Sequence, residues 1–149
     1  MKCELVGSVI RKDPLDHVPL MPTPVVLLVD DNEDCRIIYG STLRHAGYTV
    51  QTANDGLKAL EFARTSLPGV ILLDIGMPVM DGMETLRELK ADSRTACVPV
   101  VAVSARVGRD QHAMVLDAGF SEVLLKPITP AEILAAVRRH VRVDDDRQA

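Results

Sequence analysis

Short apolar runs alternate with segments of helical periodicity five times between residues 25 and 141. Each run is long enough to form a buried strand, and each intervening segment repeats apolar residues at the spacing of one helix face. Strands that alternate with helices pair in parallel, because each helix carries the chain back across the sheet before the next strand begins. The alternation therefore predicts an α/β domain in which helices cover both faces of a five-stranded parallel sheet.

Local signals mark where these elements begin and end. The apolar runs of the expected strands cover residues 25–29, 48–53, 70–73, 99–103 and 122–125, and the expected helices begin near residues 33, 56, 82, 109 and 130. Gly47 and Gly119 are typical helix stops, and Pro68-Gly69 ends the second helix. A capping box with proline at the first helical position, Thr129-Pro130-Ala131-Glu132, starts the last helix. In the first helix we expect the inward face to contain Cys35, Ile38, Leu43 and Ala46.

The chain divides by composition into an N-terminal extension, one domain and a tail. Residues 1–24 contain four prolines and no regular apolar period, so we expect an extension ahead of a domain at 25–142. This extension is interpreted either as a flexible leader, or the product of a wrongly chosen start codon, or as an arm that docks a partner through Leu5, Val6, Val9 and Ile10. Residues 143–149 form an acidic C-terminal tail.

Charge and hydropathy exclude several classes of function. Seventeen Lys and Arg against twenty-one Asp and Glu give a net charge of −4 with no basic block, so a nucleic-acid partner is not expected. The apolar runs are far shorter than the ~20 residues that span a bilayer, so no membrane segment is expected. The apolar stretch near the N-terminus is interrupted by charge and has no cleavage site for secretion, and we expect a cytoplasmic location.

Polar side chains stand where the predicted strands end. Asp30 and Asp31 follow the first strand, Asp74 ends the third, Ser104 ends the fourth, and Lys126 follows the fifth. Because the carboxyl ends of parallel strands meet at one edge of the sheet, where ligands bind in open α/β folds, these side chains should converge.

Three converging carboxylates repel one another, so either the pKa of one of them rises or a cation is bound between them. Magnesium suits such a site, since it takes one or two carboxylates together with phosphate oxygens. A carboxylate can accept a phosphoryl group as an aspartyl phosphate while cations neutralise the transferring oxygens. We therefore expect Asp74 to be the acceptor and Asp30 and Asp31 to hold Mg²⁺, with Lys126 and Ser104 contacting phosphoryl oxygens.

These residues resemble the motifs of the receiver domain of bacterial two-component response regulators. The similar segments span about Val25 to Val141 and comprise residues 29–32, 72–82, 103–105, 119–120 and 124–127. The resemblance implies a flavodoxin-like, doubly wound five-stranded parallel sheet of order 2-1-3-4-5 with five helices. It implies Mg²⁺-dependent transfer to Asp74 from a histidine kinase or histidine phosphotransfer protein, with the Gly76 backbone carbonyl as a further metal ligand. It also implies a cis peptide before Pro127 and no catalysis beyond the chain's own phosphorylation and dephosphorylation.

The resemblance extends to output. The last helix ends near Arg142, which leaves too little chain for an effector domain, so we expect a stand-alone receiver, although a fragment of a larger regulator would have the same sequence. Its signal would pass by protein contact on the face of the fourth helix, fifth strand and fifth helix, from a monomer or a phosphorylation-linked dimer.

Val123 stands where the family usually carries an aromatic switch residue, which predicts weaker coupling to that face. Arg106 and Gly76 occupy positions that influence phosphoryl lifetime in the family, and Ser104 replaces the commoner threonine.

Two other functions stay open at this stage. One is a pseudo-receiver that binds partners without phosphorylation, a reading that Val123 favours and that the intact acidic and lysine positions oppose. The other is a phosphatase of the haloacid dehalogenase type. Its chemistry needs a second aspartate two residues after the nucleophile, where this chain has Gly76.

Overall fold

The computed structural model of the chain describes residues 24–76, 81–105 and 109–141. The predicted N-terminal extension up to residue 23, Arg106 and the tail lie outside these ranges, as do residues 77–80 of the motif after Asp74.

Five strands and five helices alternate in these ranges, as the sequence predicted. In chain order they are β1 (Val25–Val29), α1 (Glu33–His45), β2 (Thr49–Ala53), α2 (Gly56–Ser66), β3 (Val70–Asp74), α3 (Gly82–Ala91), β4 (Val100–Ser104), α4 (Arg109–Ala118), β5 (Glu122–Leu125) and α5 (Pro130–His140). The strands pair in parallel in the order β2-β1-β3-β4-β5. This order confirms the doubly wound, flavodoxin-like fold.

The strand and helix boundaries follow the local signals closely. Four helices begin with a capping side chain that accepts a hydrogen bond from the backbone amide three residues later. The caps of α1, α2, α3 and α5 are Asn32, Asp55, Asp81 and Thr129, respectively. β4 begins at Val100 rather than at the predicted Pro99, because proline has no amide hydrogen to donate to a neighbouring strand. β2 likewise begins one residue later than predicted, at Thr49.

The core forms one apolar layer on each face of the sheet. Side chains of β1, β3 and β4 alternate between a layer under α2, α3 and α4 and a layer under α1 and α5. β3 and β4 are buried along their whole length. Site residues at the ends of these two strands are therefore held by a packed scaffold on both sides.

The inward face of α1 differs from the prediction. Leu43 is buried as expected, and Cys35 packs at the edge of the core, but Ile38 is 53% exposed and Ala46 is also exposed. Tyr39 and Gly40 take the inward positions instead. Tyr39 and Leu43 are four residues apart and therefore lie on one face, which leaves Ile38 about 100° away around the helix.

None of the helices in the described ranges is long and apolar enough to cross a membrane.

Candidate functional site

Three carboxylates converge at the carboxyl edge of the sheet, as the strand ends predicted. One carboxylate oxygen from each of Asp30, Asp31 and Asp74 lies within 4.8 Å of the others. Asp30 and Asp74 are 2% and 6% exposed, whereas Asp31 is exposed and opens the cluster to solvent. Hard oxygen ligands at this separation, with one side open for water or a phosphate oxygen, fit a magnesium ion.

Asp30 is fixed by neighbours on several elements. Its amide donates to the Ala53 carbonyl at the end of β2 at 3.1 Å, and its Oδ1 accepts from the Asn32 amide at 2.9 Å. Its Oδ2 lies 3.0 Å from Lys126 Nζ. A carboxylate buried to this extent needs such partners, since it has given up most of its water.

Asp74 ends the central strand and has a polar contact on each oxygen. Oδ1 accepts from the Gly76 amide at 2.9 Å, and Oδ2 lies 3.5 Å from Lys126 Nζ. Burial raises the pKa of Asp74, and the nearby charges of Asp30 and Asp31 raise it further, against the opposing effects of the Gly76 amide and Lys126. The carboxylate is thus destabilised by its surroundings, and an added cation would relieve that.

Lys126 supplies a positive charge to the cluster from the turn between β5 and α5. Burial lowers the pKa of its ammonium group, but the hydrogen bond and charge of Asp30 and the charge of Asp74 outweigh burial, so the net shift is upward. The peptide between Lys126 and Pro127 is cis, as the resemblance implied. One ammonium group against three carboxylates leaves this set of side chains with an excess of negative charge, which a divalent ion would offset.

The remaining predicted residues flank this cluster. Ser104 is buried at the end of β4, and its carbonyl accepts from the Lys126 amide at 2.8 Å, which brings the two residues together through the backbone. Gly76 donates its amide to Asp74. Metal ligation by the Gly76 carbonyl and hydrogen bonding from the Ser104 hydroxyl to a phosphoryl oxygen stay predictions.

One residue in contact with the site was not predicted from the sequence. Arg36 on α1 donates from Nη1 to the Asp30 carbonyl at 2.7 Å. A charged residue in the first turns of a surface helix usually extends into solvent, so the sequence pattern gave no reason to single it out. The length of the side chain was the available signal, because an arginine six residues after Asp30 can fold back onto the backbone that follows β1.

Apolar side chains are exposed on α4 and at the end of β5. Met114 and Leu116 on α4 are 60% and 40% exposed, and Leu125 at the end of β5 is 50% exposed. Val123 is half-buried and packs against the core layer under α2, α3 and α4. A branched valine in this position cannot swing between two orientations as a large aromatic ring can.

Comparison with known proteins identifies close likenesses. The family model of the response regulator receiver domain matches residues 26–138. The transcriptional regulatory protein PrrA of Mycobacterium tuberculosis is 40% identical over 120 residues, which cover 80% of this chain and 51% of PrrA. Response regulator PleD of Caulobacter vibrioides is 40% identical over 127 residues, which cover 83% of this chain and 28% of PleD. The chain thus spans about half or less of the length of these relatives.

Solved structures give the same picture. The chemotaxis protein CheY4 of Vibrio cholerae is 31% identical with a TM-score of 0.77, over 80% of this chain and all of that one. The receiver domain of the sensor histidine kinase PA1611 from Pseudomonas aeruginosa PAO1, whose active-site cleft coordinates a magnesium ion, is also 31% identical. Its TM-score is 0.73, over 80% of this chain and 98% of that one.

Proposed function

The chain belongs to the response regulator receiver domain family, and on that premise we propose that it is a phosphoacceptor of a two-component or phosphorelay pathway. Asp74 accepts a phosphoryl group from a histidine kinase or a histidine phosphotransfer protein. The observation that carries this proposal is the meeting of Asp74 with two further carboxylates and the Lys126 ammonium group at the edge of the sheet. Asp30, Asp31, Asp74 and the Gly76 carbonyl would hold Mg²⁺.

The transfer moves a phosphoryl group from nitrogen to oxygen. A carboxylate oxygen of Asp74 attacks phosphorus, the bond from phosphorus to the donor's imidazole nitrogen breaks, and its electron pair returns to the imidazole. A bound magnesium ion would neutralise charge on the transferring oxygens. Lys126 Nζ lies 3.5 Å from Asp74 Oδ2 and would pair with a phosphoryl oxygen, while the Ser104 hydroxyl would donate to another.

The acceptor is oriented before any donor arrives. The Gly76 amide holds Asp74 Oδ1 at 2.9 Å, and Lys126 lies beside Oδ2, so the plane of the carboxylate is fixed by both contacts. Fixing a reacting group in advance removes part of the entropy cost of the transition state. Because burial and neighbouring carboxylates raise the pKa of Asp74, Lys126 also helps to keep the acceptor ionised and therefore nucleophilic.

The signal would leave through a protein contact on the α4–β5–α5 face. The exposed side chain of Leu125 at the end of β5 supports this part of the proposal, and α4 carries two further exposed apolar side chains, Met114 and Leu116, on different sides of the helix. We further propose that residues 25–142 are the receiver unit, that residues 1–24 are an extension and 143–149 a tail, and that the chain acts in the cytoplasm. It would act as a monomer or as a dimer linked to phosphorylation, with no chemistry beyond gaining and losing its own phosphoryl group.

One observation favours a second function. Val123 packs against the core where the family usually has a mobile aromatic, so a receiver of this kind could serve as a docking module whose surface does not change on phosphorylation. Such a pseudo-receiver would bind its partner equally well with asparagine at position 74. Phosphorylation-driven signalling requires the opposite result.

Intact mass after incubation with Mg²⁺ and acetyl phosphate tests the main proposal. The wild-type chain should gain the mass of one phosphoryl group, and this gain should disappear in Asp74→Asn and in the presence of EDTA. Asp55→Asn is a matched control, because Asp55 caps α2 and asparagine caps helices equally well. No gain by the folded wild-type chain, or an undiminished gain in Asp74→Asn, would contradict Asp74 as the acceptor.

A further inference from the structure

Each polar atom of Asp30 has a partner, and the partners belong to four different residues. Its amide donates to Ala53, its Oδ1 accepts from the Asn32 amide, and its Oδ2 pairs with Lys126. The backbone carbonyl oxygen accepts from Arg36 Nη1 at 2.7 Å. The first three contacts hold the Asp30 side chain and the end of β1. The Arg36 contact instead holds the peptide group between Asp30 and Asp31.

That peptide group decides where Asp31 stands. The Asp30 carbonyl and the Asp31 amide belong to one rigid plane, so a donor that fixes the carbonyl also fixes the direction in which the chain enters Asp31. The Asp31 carboxylate is exposed and still lies within 4.8 Å of ligand oxygens on Asp30 and Asp74. If this plane rotated, Asp31 would move away from an ion held by the other two carboxylates.

Arg36 is well placed to act as this restraint. It is half-buried in α1, and its amide donates to the Asn32 carbonyl at 3.1 Å. Asn32 also caps the helix by accepting from the Cys35 amide at 3.1 Å. Arg36 is therefore anchored to Asn32, the residue at which the turn after Asp30 ends and α1 begins. A charged donor also makes the contact with the Asp30 carbonyl stronger than a neutral donor would.

We propose that Arg36 is a positioning residue for metal binding, which sets the Asp30–Asp31 peptide so that the Asp31 carboxylate faces the ion. The inference rests on the proposed function of the site and adds a residue to it. Arg36 touches neither the ion nor the phosphoryl group and acts through Asp31. Its loss should therefore weaken Mg²⁺ binding and leave the phosphorylation rate at saturating Mg²⁺ unchanged.

Calorimetric titration of the full chain with MgCl₂ tests this role. Arg36→Met should bind Mg²⁺ about tenfold more weakly than wild type, the lower end of what loss of a group behind a metal ligand costs. Arg36→Lys keeps a charged donor and should stay within about threefold of wild type. The matched control is Arg44→Met, which removes an arginine on the same helix that donates to the Val50 carbonyl at 3.3 Å, and it should bind as wild type does.

The Mg²⁺ affinities of the two methionine variants show whether Arg36 has this role. Equal Mg²⁺ affinities for Arg36→Met and Arg44→Met would overturn the proposal, as would an Arg36→Lys variant no better than Arg36→Met. If Arg36→Met does not fold, Arg36→Gln takes its place under the same criteria, because its shorter side chain cannot make the same contact. A wild-type chain that binds Mg²⁺ without gaining a phosphoryl group would contradict the proposed function alone, and one that binds no Mg²⁺ would overturn both.

Discussion

The centre of the sheet and its β5 edge are built in opposite ways. β3 is buried along its whole length and ends in Asp74, which is 6% exposed and in contact with other ionised groups. β5 is half-buried at best and ends in Leu125, which is 50% exposed. The centre removes most of the water around two of its carboxylates, Asp30 and Asp74, whereas the edge leaves apolar groups in water.

This contrast separates two tasks. Charges act strongly on one another at the centre because burial removes the screening of solvent, which suits a site that must stabilise a transferring phosphoryl group. Apolar side chains that are exposed at the edge are available to another protein. We expect substitutions at the centre to change stability and metal binding strongly, and substitutions at the edge to change them little.

Replacement of Gly82 should give the largest effect, because Gly82 has the least room for a Cβ among the glycines that the structure describes. A Cβ on Gly82 would lie 2.4 Å from the Ile75 Cα, a backbone atom that cannot move aside without shifting the loop after Asp74. We expect Gly82→Ala to lower the free energy of unfolding by about 3 kcal/mol, the upper part of the range for overpacked sites. Urea denaturation followed by circular dichroism would measure it.

Gly76→Ala is the matched control for this prediction. Among the described residues, the nearest atom to a Cβ on Gly76 would be Asp74 Oδ1 at 3.6 Å, an ordinary contact distance. Its stability should stay within about 1 kcal/mol of wild type. Equal losses in the two variants would show that alanine at either glycine is costly for reasons other than the approach to Ile75.

Asp74→Asn should have an intermediate effect, with the opposite sign. Burial and the neighbouring carboxylates raise the pKa of Asp74 above its ordinary value of 3.8, so the folded state binds this proton more tightly than the unfolded state does. Stability associated with this group is therefore present at low pH and is lost as the pH rises through the folded-state pKa. Without Mg²⁺ at pH 7, we expect the variant to be more stable than wild type by about 0.5 to 2 kcal/mol.

Thermal or urea unfolding at several pH values, with EDTA present, measures this difference. The extra stability of Asp74→Asn over wild type should shrink as the pH falls to 3.8 and below, where the Asp74 carboxyl group of the wild-type chain takes up its proton in the folded and in the unfolded state. Asp117→Asn on α4 is a control with an exposed carboxylate. A wild-type chain more stable than Asp74→Asn at pH 7 would mean that Lys126 more than compensates for the buried charge.

The site could be predicted from the sequence because its position follows from topology alone. Parallel strands bring their carboxyl ends to one edge, and Asp30, Asp74 and Lys126 stand at those ends whatever the details of packing. The inward face of α1 could not be predicted as reliably. Apolar residues occur on more than one side of that helix, and only the packing of Tyr39 and Leu43 against the sheet decides its rotation.

Side-chain contacts between distant elements were also beyond the sequence pattern. Arg36 bonds to a backbone carbonyl, a group that every residue has, so no residue type marks its partner. Glu122 on β5 contacts Arg139 and His140 on α5, which are 17 and 18 residues away. The sequence does not determine how α5 is oriented relative to β5. Such contacts depend on the relative placement of whole elements, which local patterns do not contain.

Glu122→Gln should give the smallest effect, at the β5 edge. Burial raises the pKa of Glu122, but hydrogen bonds from Arg139 at 2.6 Å and with His140 at 2.8 Å outweigh burial and hold it below its usual 4.5. A carboxyl group with a depressed folded-state pKa adds stability above its unfolded-state pKa, and that stability is lost as the pH falls through the folded-state value. At pH 7 the variant should lose less than about 1 kcal/mol, because the pair is partly exposed.

Urea denaturation of wild type and Glu122→Gln between pH 7 and pH 3 checks this prediction, with Glu88→Gln on the exposed side of α3 as the control. The difference between wild type and Glu122→Gln should begin to narrow as the pH falls below about 4.5, where the unfolded chain takes up the proton first. A difference that stays constant over this range would mean that packing, and not charge, joins β5 to α5. In that case the edge would respond to the same forces as the apolar core, and the contrast with the charged centre would rest on exposure alone.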